Sequence, residues 1–99
     1  MNLEEKIMEG IKQAMKSHDK VALESLRAVK SAILLEKTSG AKGELDQAAE
    51  MKLLQKLVKQ RKESAEIYTQ QNRADLAEAE LAQAAVIEAY LPKQLSAEE

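Results

Sequence analysis

The 99-residue chain contains no cysteine, phenylalanine or tryptophan, and two tyrosines are its only aromatic residues. Without cysteine, disulfides, thiolate metal sites and cysteine nucleophiles are excluded. One proline and three glycines leave few positions for the tight turns of an all-β fold. No stretch approaches the roughly 18 apolar residues of a membrane span, and no apolar signal segment begins the chain. These absences predict a helical, cytoplasmic protein that does not enter membranes.

Aliphatic and charged residues dominate what is present, with 44 % of the chain hydrophobic and 32 % charged. A chain of this length has room for one core only. Its apolar residues recur at helical spacing, so we predict an all-α, compact four-helix domain. The four helices are predicted over residues 2–16, 19–37, 46–71 and 74–90. We expect this domain to occupy residues 1–91, followed by an exit segment at 92–99.

Short polar residues mark where the predicted helices begin and end. Asn2 and Glu5 form a capping-box pattern, and Asp19 and Asp46 stand at the N-cap positions of the second and third helices. Asn72 either ends the third helix or caps the fourth. The starts of the first three helices therefore each have a local chemical signal.

Two stretches lie outside the predicted helices. Residues 38–45 carry two of the three glycines and are predicted to form a loop, but their spacing matches no phosphate-binding glycine motif. In the exit segment, Ser96 and Glu99 match a loose capping-box pattern, which announces a helix. The simplest interpretation is that the natural chain continues into a further helical unit, and a polar tail that matches the pattern by chance is the alternative.

Few residues in this chain suggest catalysis or metal binding. His18 is the single histidine, and it lies in a predicted turn without a second histidine or cysteine to complete a metal site. A solvated turn residue is the favoured interpretation, ahead of a catalytic base. The carboxylates are too scattered to form an acid–base pair. We predict no catalytic residue, no cofactor and no metal.

The third predicted helix combines core residues with a concentrated positive charge. Residues 52–62 include five basic residues and no acidic one. At about 100° per residue, Lys52, Lys56 and Lys59 fall within roughly 60° of one another, opposite the apolar residues. With Lys62 they are the candidate RNA-binding residues, because a lysine stripe follows phosphates with salt-sensitive, sequence-independent affinity. An ordinary solvated helix face is the alternative that this pattern leaves open.

Negative charge collects at the other end of the chain. Residues 75–99 carry six acidic residues against one basic residue, Lys93. Two opposite patches on one small domain can pair with each other or bind outside partners, and two ordinary solvated helix faces are the favoured interpretation of the same pattern. A protein–protein interaction module that uses the acidic fourth helix and the exit segment is therefore the competing prediction, with another protein subunit as partner.

Arg61 interrupts the apolar face of the third helix. It needs a partner, because a buried unpaired charge is very costly. A tight connection should make the third and fourth helices antiparallel, which places Arg61 level with residues near 83. We predict an ion pair with Glu80 or Glu88 that fixes the register of the two helices. A buried site for acid–base or anion chemistry is the less favoured interpretation of the same residues.

Three stretches of the chain together form a specific pattern: LRAVKSAILLEKT at 26–38, LVKQRKESAEIYTQQNRADLAEAE at 57–80 and VIEAYLPKQLS at 86–96. In these stretches the chain resembles the GatB/YqeY family. The resemblance implies a YqeY-like N-terminal helical bundle, followed in the family by a smaller helical domain. That smaller domain looks like the tail of the B subunit of the tRNA-dependent amidotransferase, which amidates Glu or Asp attached to tRNA.

The resemblance also implies a function. The tail of the B subunit is associated with gripping tRNA, and the family is grouped with carbon–nitrogen ligases that use glutamine as amido-N-donor. An accessory, tRNA-associated module that is noncatalytic on its own is therefore the leading expectation. A ligase component that is active only in complex is a further alternative. This chain ends at Glu99, before the tail-like part, and no catalytic residue is carried over to it.

Overall fold

A computed structural model describes residues 2–39 and 46–91 of the chain. The helices are α1 (Leu3–Ser17), α2 (Lys20–Ser39), α3 (Gln47–Gln70) and α4 (Ala74–Glu88). No strand is present in these two described ranges. The predicted all-α four-helix domain is confirmed.

Two helix ends differ from the prediction by two residues. α4 ends at Glu88, before the predicted end at residue 90. α2 continues through Thr38 and Ser39, which the sequence assigns to a loop. The hydroxyl of Thr38 donates to the carbonyl of Leu34 at 3.1 Å, so its side chain adds a local bond to the last turn. The rest of the predicted loop, 40–45, and the exit segment, 92–99, lie outside the described residues.

The predicted N-caps are present. The side chain of Asn2 accepts from the backbone N–H of Glu5 at 2.8 Å, and the Glu5 carboxylate accepts from the backbone N–H of Asn2 at 3.1 Å. Asp19 and Asp46 each accept from the backbone N–H three residues further on, at 3.0 and 2.8 Å. These bonds satisfy N–H groups that have no partner within the helix.

Two helices end on a residue in the left-handed conformation. His18 after α1 has φ 58°, and Asn72 after α3 has φ 63°. The next backbone N–H in each case donates to the carbonyl five residues back, that of Ala14 at 2.9 Å and that of Tyr68 at 2.8 Å. This is the Schellman arrangement. Asn72 therefore ends α3, and it is His18 that makes the exposed turn predicted between α1 and α2.

All four helices contribute to one core. α3 and α4 form the most extensive pair, α1 packs mainly on α2, and α2 also packs on α4. The buried core consists of Leu3, Ile7, Leu26, Val29, Ile33, Leu54, Val58, Ala84 and Ile87. Each of these residues lies on a predicted apolar stripe. The same stripes also include Met15, Leu34 and Leu81, which are 55 %, 48 % and 48 % exposed, so the periodicity locates the core only in part.

A glycine in the middle of α1 has a packing explanation. A Cβ on Gly10 would clash with the hydroxyl of Tyr90 and would lie 2.8 Å from Cδ1 of Leu26. The glycine therefore lets Tyr90, two residues after the end of α4, approach the backbone of α1 closely. Through this contact, the end of α4 is held against the α1–α2 pair.

Candidate nucleic-acid interface

Three lysines occupy the outer side of α3. Lys52, Lys56 and Lys59 are exposed, whereas Leu54 and Val58 on the inner side are buried in the core. At 1.5 Å per residue, the three lysines extend over about 10 Å along the helix. Within the described part of the chain, none of them makes a hydrogen bond or an ion pair. We call this set the lysine face.

Lys62 differs from the other three lysines. Its ammonium donates to Oε2 of Glu88 at 3.0 Å and so joins α3 to the end of α4. The two side chains are 53 % and 45 % exposed. Exposed ion pairs contribute about 0–1 kcal/mol, so a phosphate would compete for Lys62 at small cost. Its assignment to an RNA-binding surface stays a prediction.

Arg61 lies level with Gln83, as expected for antiparallel helices. Its Nε donates to Oε1 of Gln83 at 3.1 Å, and Nη1 donates to the carbonyl of Leu57 at 3.2 Å. The partner is thus a neutral amide, and the predicted ion pair with Glu80 or Glu88 is not what the structure has.

The physical reason for this correction is twofold. Arg61 is only partly buried, so an amide oxygen and a carbonyl oxygen are enough to satisfy it, and the cost that demands a carboxylate in a dry core does not arise. Glu88 is bound by Lys62 instead. Gln83 in turn donates from Nε2 to Oε1 of Glu24 at 3.4 Å. A polar relay therefore connects α3, α4 and α2.

Acidic residues end the lysine face towards the C-terminus of α3. Glu63 and Glu66 are exposed, and the helical spacing puts them on the same side as Lys59, one and two turns further on. An open groove of about 530 Å³ lies beside them, with Lys62 and Glu88 also in its lining. The positive surface therefore covers only the N-terminal half of α3.

A second open groove, of about 580 Å³, runs between α1, α2 and α4. Its floor includes small or apolar residues, among them Gly10, Ala14, Leu26 and Val86, and Tyr90 stands at one side. Its rim carries both Lys6 and Glu9. The lining of this groove carries charges of both signs, and none of its polar side chains is buried. Nothing in the groove therefore indicates which kind of ligand it would bind.

The connection between α3 and α4 contains the described residues with shifted pKa values. Arg73 donates from Nε and Nη2 to the two carboxylate oxygens of Asp75, at 3.2 and 3.1 Å. The hydrogen bond from Arg73 lowers the pKa of Asp75, and the bond to Asp75 raises the pKa of Arg73. Both groups are exposed at a turn, where a bidentate pair stabilises the connection and offers no feature of a reaction centre.

The described residues contain neither a candidate metal site nor a candidate membrane span. No group of three or more histidine, cysteine, aspartate or glutamate side chains among them is placed to hold a metal ion. Over the same residues, no helix has the length and apolar character needed to cross a bilayer. Among the described residues, the lysine face is therefore the surface whose chemistry indicates a ligand.

The comparison with known proteins identifies the family. Residues 4–99 match the family described as Yqey-like protein. The chain belongs to this family. It is 41 % identical over 81 residues to "Altered inheritance of mitochondria protein 41, mitochondrial" of Meyerozyma guilliermondii, an alignment that covers 82 % of this chain and 42 % of the relative. The chain thus spans less than half the length of that relative.

Sequence reasoning missed the roles of Gln83 and Gly10. Gln83 is a polar residue at a half-buried helix position, which is only a weak indication of a structural role. No residue close to it in the sequence indicated which side chain it would bind. The signal for Gly10 was stronger, since an isolated glycine inside a helical pattern often marks a close contact. Its partner, Tyr90, is 80 positions away in the sequence, so that contact needed the fold.

Proposed function

We propose that this Yqey-like domain is an accessory, tRNA-associated module related to the tRNA-dependent, glutamine-using amidotransferase system, and that it is noncatalytic on its own. The observation that supports RNA association is the lysine face, in which three exposed ammonium groups have no protein partner among the described residues. The link to the amidotransferase system is supported by the family resemblance. The cytoplasmic location stays a prediction from the sequence, and the named relative is a mitochondrial protein.

The size of the lysine face indicates how strong the association should be. Each neutralised phosphate contributes about −0.7 to −0.9 to the slope of log K against log salt, so three contacts give a slope of about −2 to −3. Raising the salt concentration fourfold should then weaken binding by about 20- to 40-fold. Proteins with six to ten phosphate contacts lose about 10³ to 10⁵ over the same range. A modest, salt-sensitive affinity is what an accessory module would have.

Fluorescence anisotropy with labelled tRNA tests this proposal. The wild type is titrated at about 50 and 200 mM salt, beside a variant in which Lys52, Lys56 and Lys59 are replaced by glutamine. We expect the variant to lose most of the affinity and most of the salt dependence. Absence of tRNA binding by the wild type at the lower salt concentration would refute the proposal.

The matched control removes the same charge from another surface. Its three substituted lysines are exposed and lie on or next to α1: Lys12, Lys16 and Lys20. We expect this control to bind tRNA within about threefold of the wild type. Equal losses in the two triple variants would indicate that net charge, rather than the lysine face, carries the binding.

The noncatalytic part of the proposal has its own test. Glutamine-dependent amidation of mischarged tRNA is measured with this chain alone and with candidate amidotransferase subunits added. We expect no product from the chain alone. Product formed without any partner would contradict this part of the proposal and leave the tRNA association standing.

An interaction module for another protein subunit is the second candidate. Leu81 on the outer side of α4 is 48 % exposed, and Glu78 and Glu88 on the same helix are exposed as well. An apolar side chain framed by acids suits a partner with a basic rim. If a candidate subunit binds in calorimetry and Leu81→Ser abolishes that binding while the lysine-face variant retains it, this second function is favoured.

A further inference from the structure

We infer that the lysine face binds the phosphate backbone of a double-stranded RNA stem rather than a single strand. This inference rests on the proposed function, because it names the kind of RNA that the same surface takes. The observations behind it are the positions of the aromatic residues, the arginines and the acidic residues relative to the three lysines.

Single-stranded RNA is usually held by bases stacked on aromatic side chains, a contribution of about 1–3 kcal/mol per base. The chain has two aromatic residues, Tyr68 and Tyr90. Tyr68 lies on the other side of α3 from the lysines and is half-buried, and Tyr90 packs over Gly10 of α1. The lysine face therefore has no stacking platform for bases.

The arginines are also placed away from this surface. Arginine is the residue that stacks on bases or binds their edges in a bidentate manner, whereas lysine acts as a point charge. Arg61 is turned inward to Gln83, Arg73 is paired with Asp75, and Arg27 belongs to α2. What the lysine face offers is positive charge alone, which suits phosphate oxygens.

The lysines are held at fixed spacing by a rigid helix. Leu54 and Val58 anchor the inner side of α3 at 2 % and 6 % exposure, and the helical rise places Lys56 about 6 Å from Lys52 and about 4.5 Å from Lys59 along the axis. Duplex RNA presents its phosphates in a regular array and is recognised mainly by shape and backbone. Ammonium groups on flexible four-carbon stems can adjust to such an array, and a duplex does not add the ordering cost that a flexible strand would add.

The acidic residues limit the contact to a short part of a stem. Glu63 and Glu66 follow the lysines on the same side of α3 and would repel phosphates that extend beyond Lys59. A single strand could bend to avoid these carboxylates but would gain no stacking by doing so. A duplex can meet the lysine face with a few phosphates and leave the acidic half of the helix uncovered.

The test compares three RNA probes by anisotropy at about 50 mM salt. They are tRNA, a hairpin whose stem spans about 16 base pairs, and a uridine-only strand with the same number of phosphates. We expect the hairpin to bind at least about tenfold more tightly than the strand. Changing the stem sequence at constant length should alter its affinity by less than about twofold.

The outcomes separate this inference from the function on which it rests. Binding of tRNA with equal or tighter binding of the uridine strand would overturn the inference and leave the proposed function intact. Absence of binding to all three probes would overturn both. The variant Lys56→Gln should weaken hairpin binding and reduce its salt slope by about one, and an unchanged slope would show that the stem binds elsewhere.

Discussion

Replacing Gly10 with alanine is expected to destabilise the domain, although glycine in a helix interior is ordinarily worse than alanine by about 0.5–1 kcal/mol. The new Cβ would meet the hydroxyl of Tyr90 and would lie 2.8 Å from Cδ1 of Leu26. Leu26 is 2 % exposed and has little room to move. Overpacking of this kind costs about 1–3 kcal/mol. Subtracting the helix-propensity gain leaves an expected net loss of about 1 kcal/mol and of at most about 2.5 kcal/mol.

Urea unfolding followed by far-UV circular dichroism measures this loss, provided that the denaturant slope stays constant. Tyr90→Phe is the matched variant, because it removes the hydroxyl that lies nearest to the new Cβ. Within the described residues that hydroxyl makes no hydrogen bond, so the single Tyr90→Phe change should have a small effect. In the double variant, Gly10→Ala should cost less than it does alone.

The sign of the Gly10→Ala effect decides between two explanations. A higher free energy of unfolding than the wild type, as helix propensity alone predicts, would refute the packing argument. It would mean that Tyr90 moves away from α1 at little cost and does not hold the end of α4. Equal effects of Gly10→Ala with and without the Tyr90 hydroxyl would locate the strain at Leu26 instead.

Three further substitutions test other parts of the structure. His18→Gly should stabilise the domain by about 0.5–1 kcal/mol in the same urea assay, because glycine relieves the left-handed backbone at the end of α1; Asn72→Gly should gain less, since asparagine tolerates this conformation, and a larger gain there would contradict the argument. Arg61→Met should change the free energy of unfolding by less than about 1 kcal/mol, because the side chain is partly exposed, water can replace its hydrogen bonds and methionine keeps the packing of the arginine stem; a larger loss would show that these bonds have an essential structural role. Glu63→Gln with Glu66→Gln should tighten hairpin binding severalfold at low salt, and unchanged affinity would mean that these carboxylates do not limit the lysine face.

Local patterns were enough to predict most of the fold. The capping box of Asn2 and Glu5 and the N-cap at Asp46 involve residues within three positions of each other, so their bonds follow from the sequence. Helix geometry converts spacing into a face, so the periodicity also places the core residues, but it puts Met15, Leu34 and Leu81 on the same faces although they are about half exposed. The end of α2 was harder, since Thr38 bonds to the helix carbonyls behind it and extends the helix by its own side chain.

The contacts that the sequence did not predict depend on competition between side chains on different helices. Counting from the connection placed Arg61 level with the right part of α4, but it did not say which neighbour would bind. Lys62, one residue on, reaches Glu88, and this leaves Gln83 to accept from Arg61. Which of two neighbouring side chains reaches a given partner depends on how far α3 is rotated about its own axis. The rotation that decides this is smaller than the roughly 100° between adjacent residues. Periodicity specifies a face of the helix but does not resolve that rotation.

Stability and binding should be separable on α3, because its two sides have different partners. Leu54 and Val58 lie in the core, while Lys52, Lys56 and Lys59 are exposed and make no contact with described residues through their charge. Exposed substitutions away from caps and networks usually change stability by less than about 0.5 kcal/mol. The triple glutamine variant should therefore unfold at nearly the same urea concentration as the wild type while losing tRNA. If the triple variant unfolds at a clearly lower urea concentration than the wild type, its loss of binding cannot be assigned to phosphate contacts. The salt slope of the single variant Lys56→Gln would then decide whether the lysine face binds phosphates.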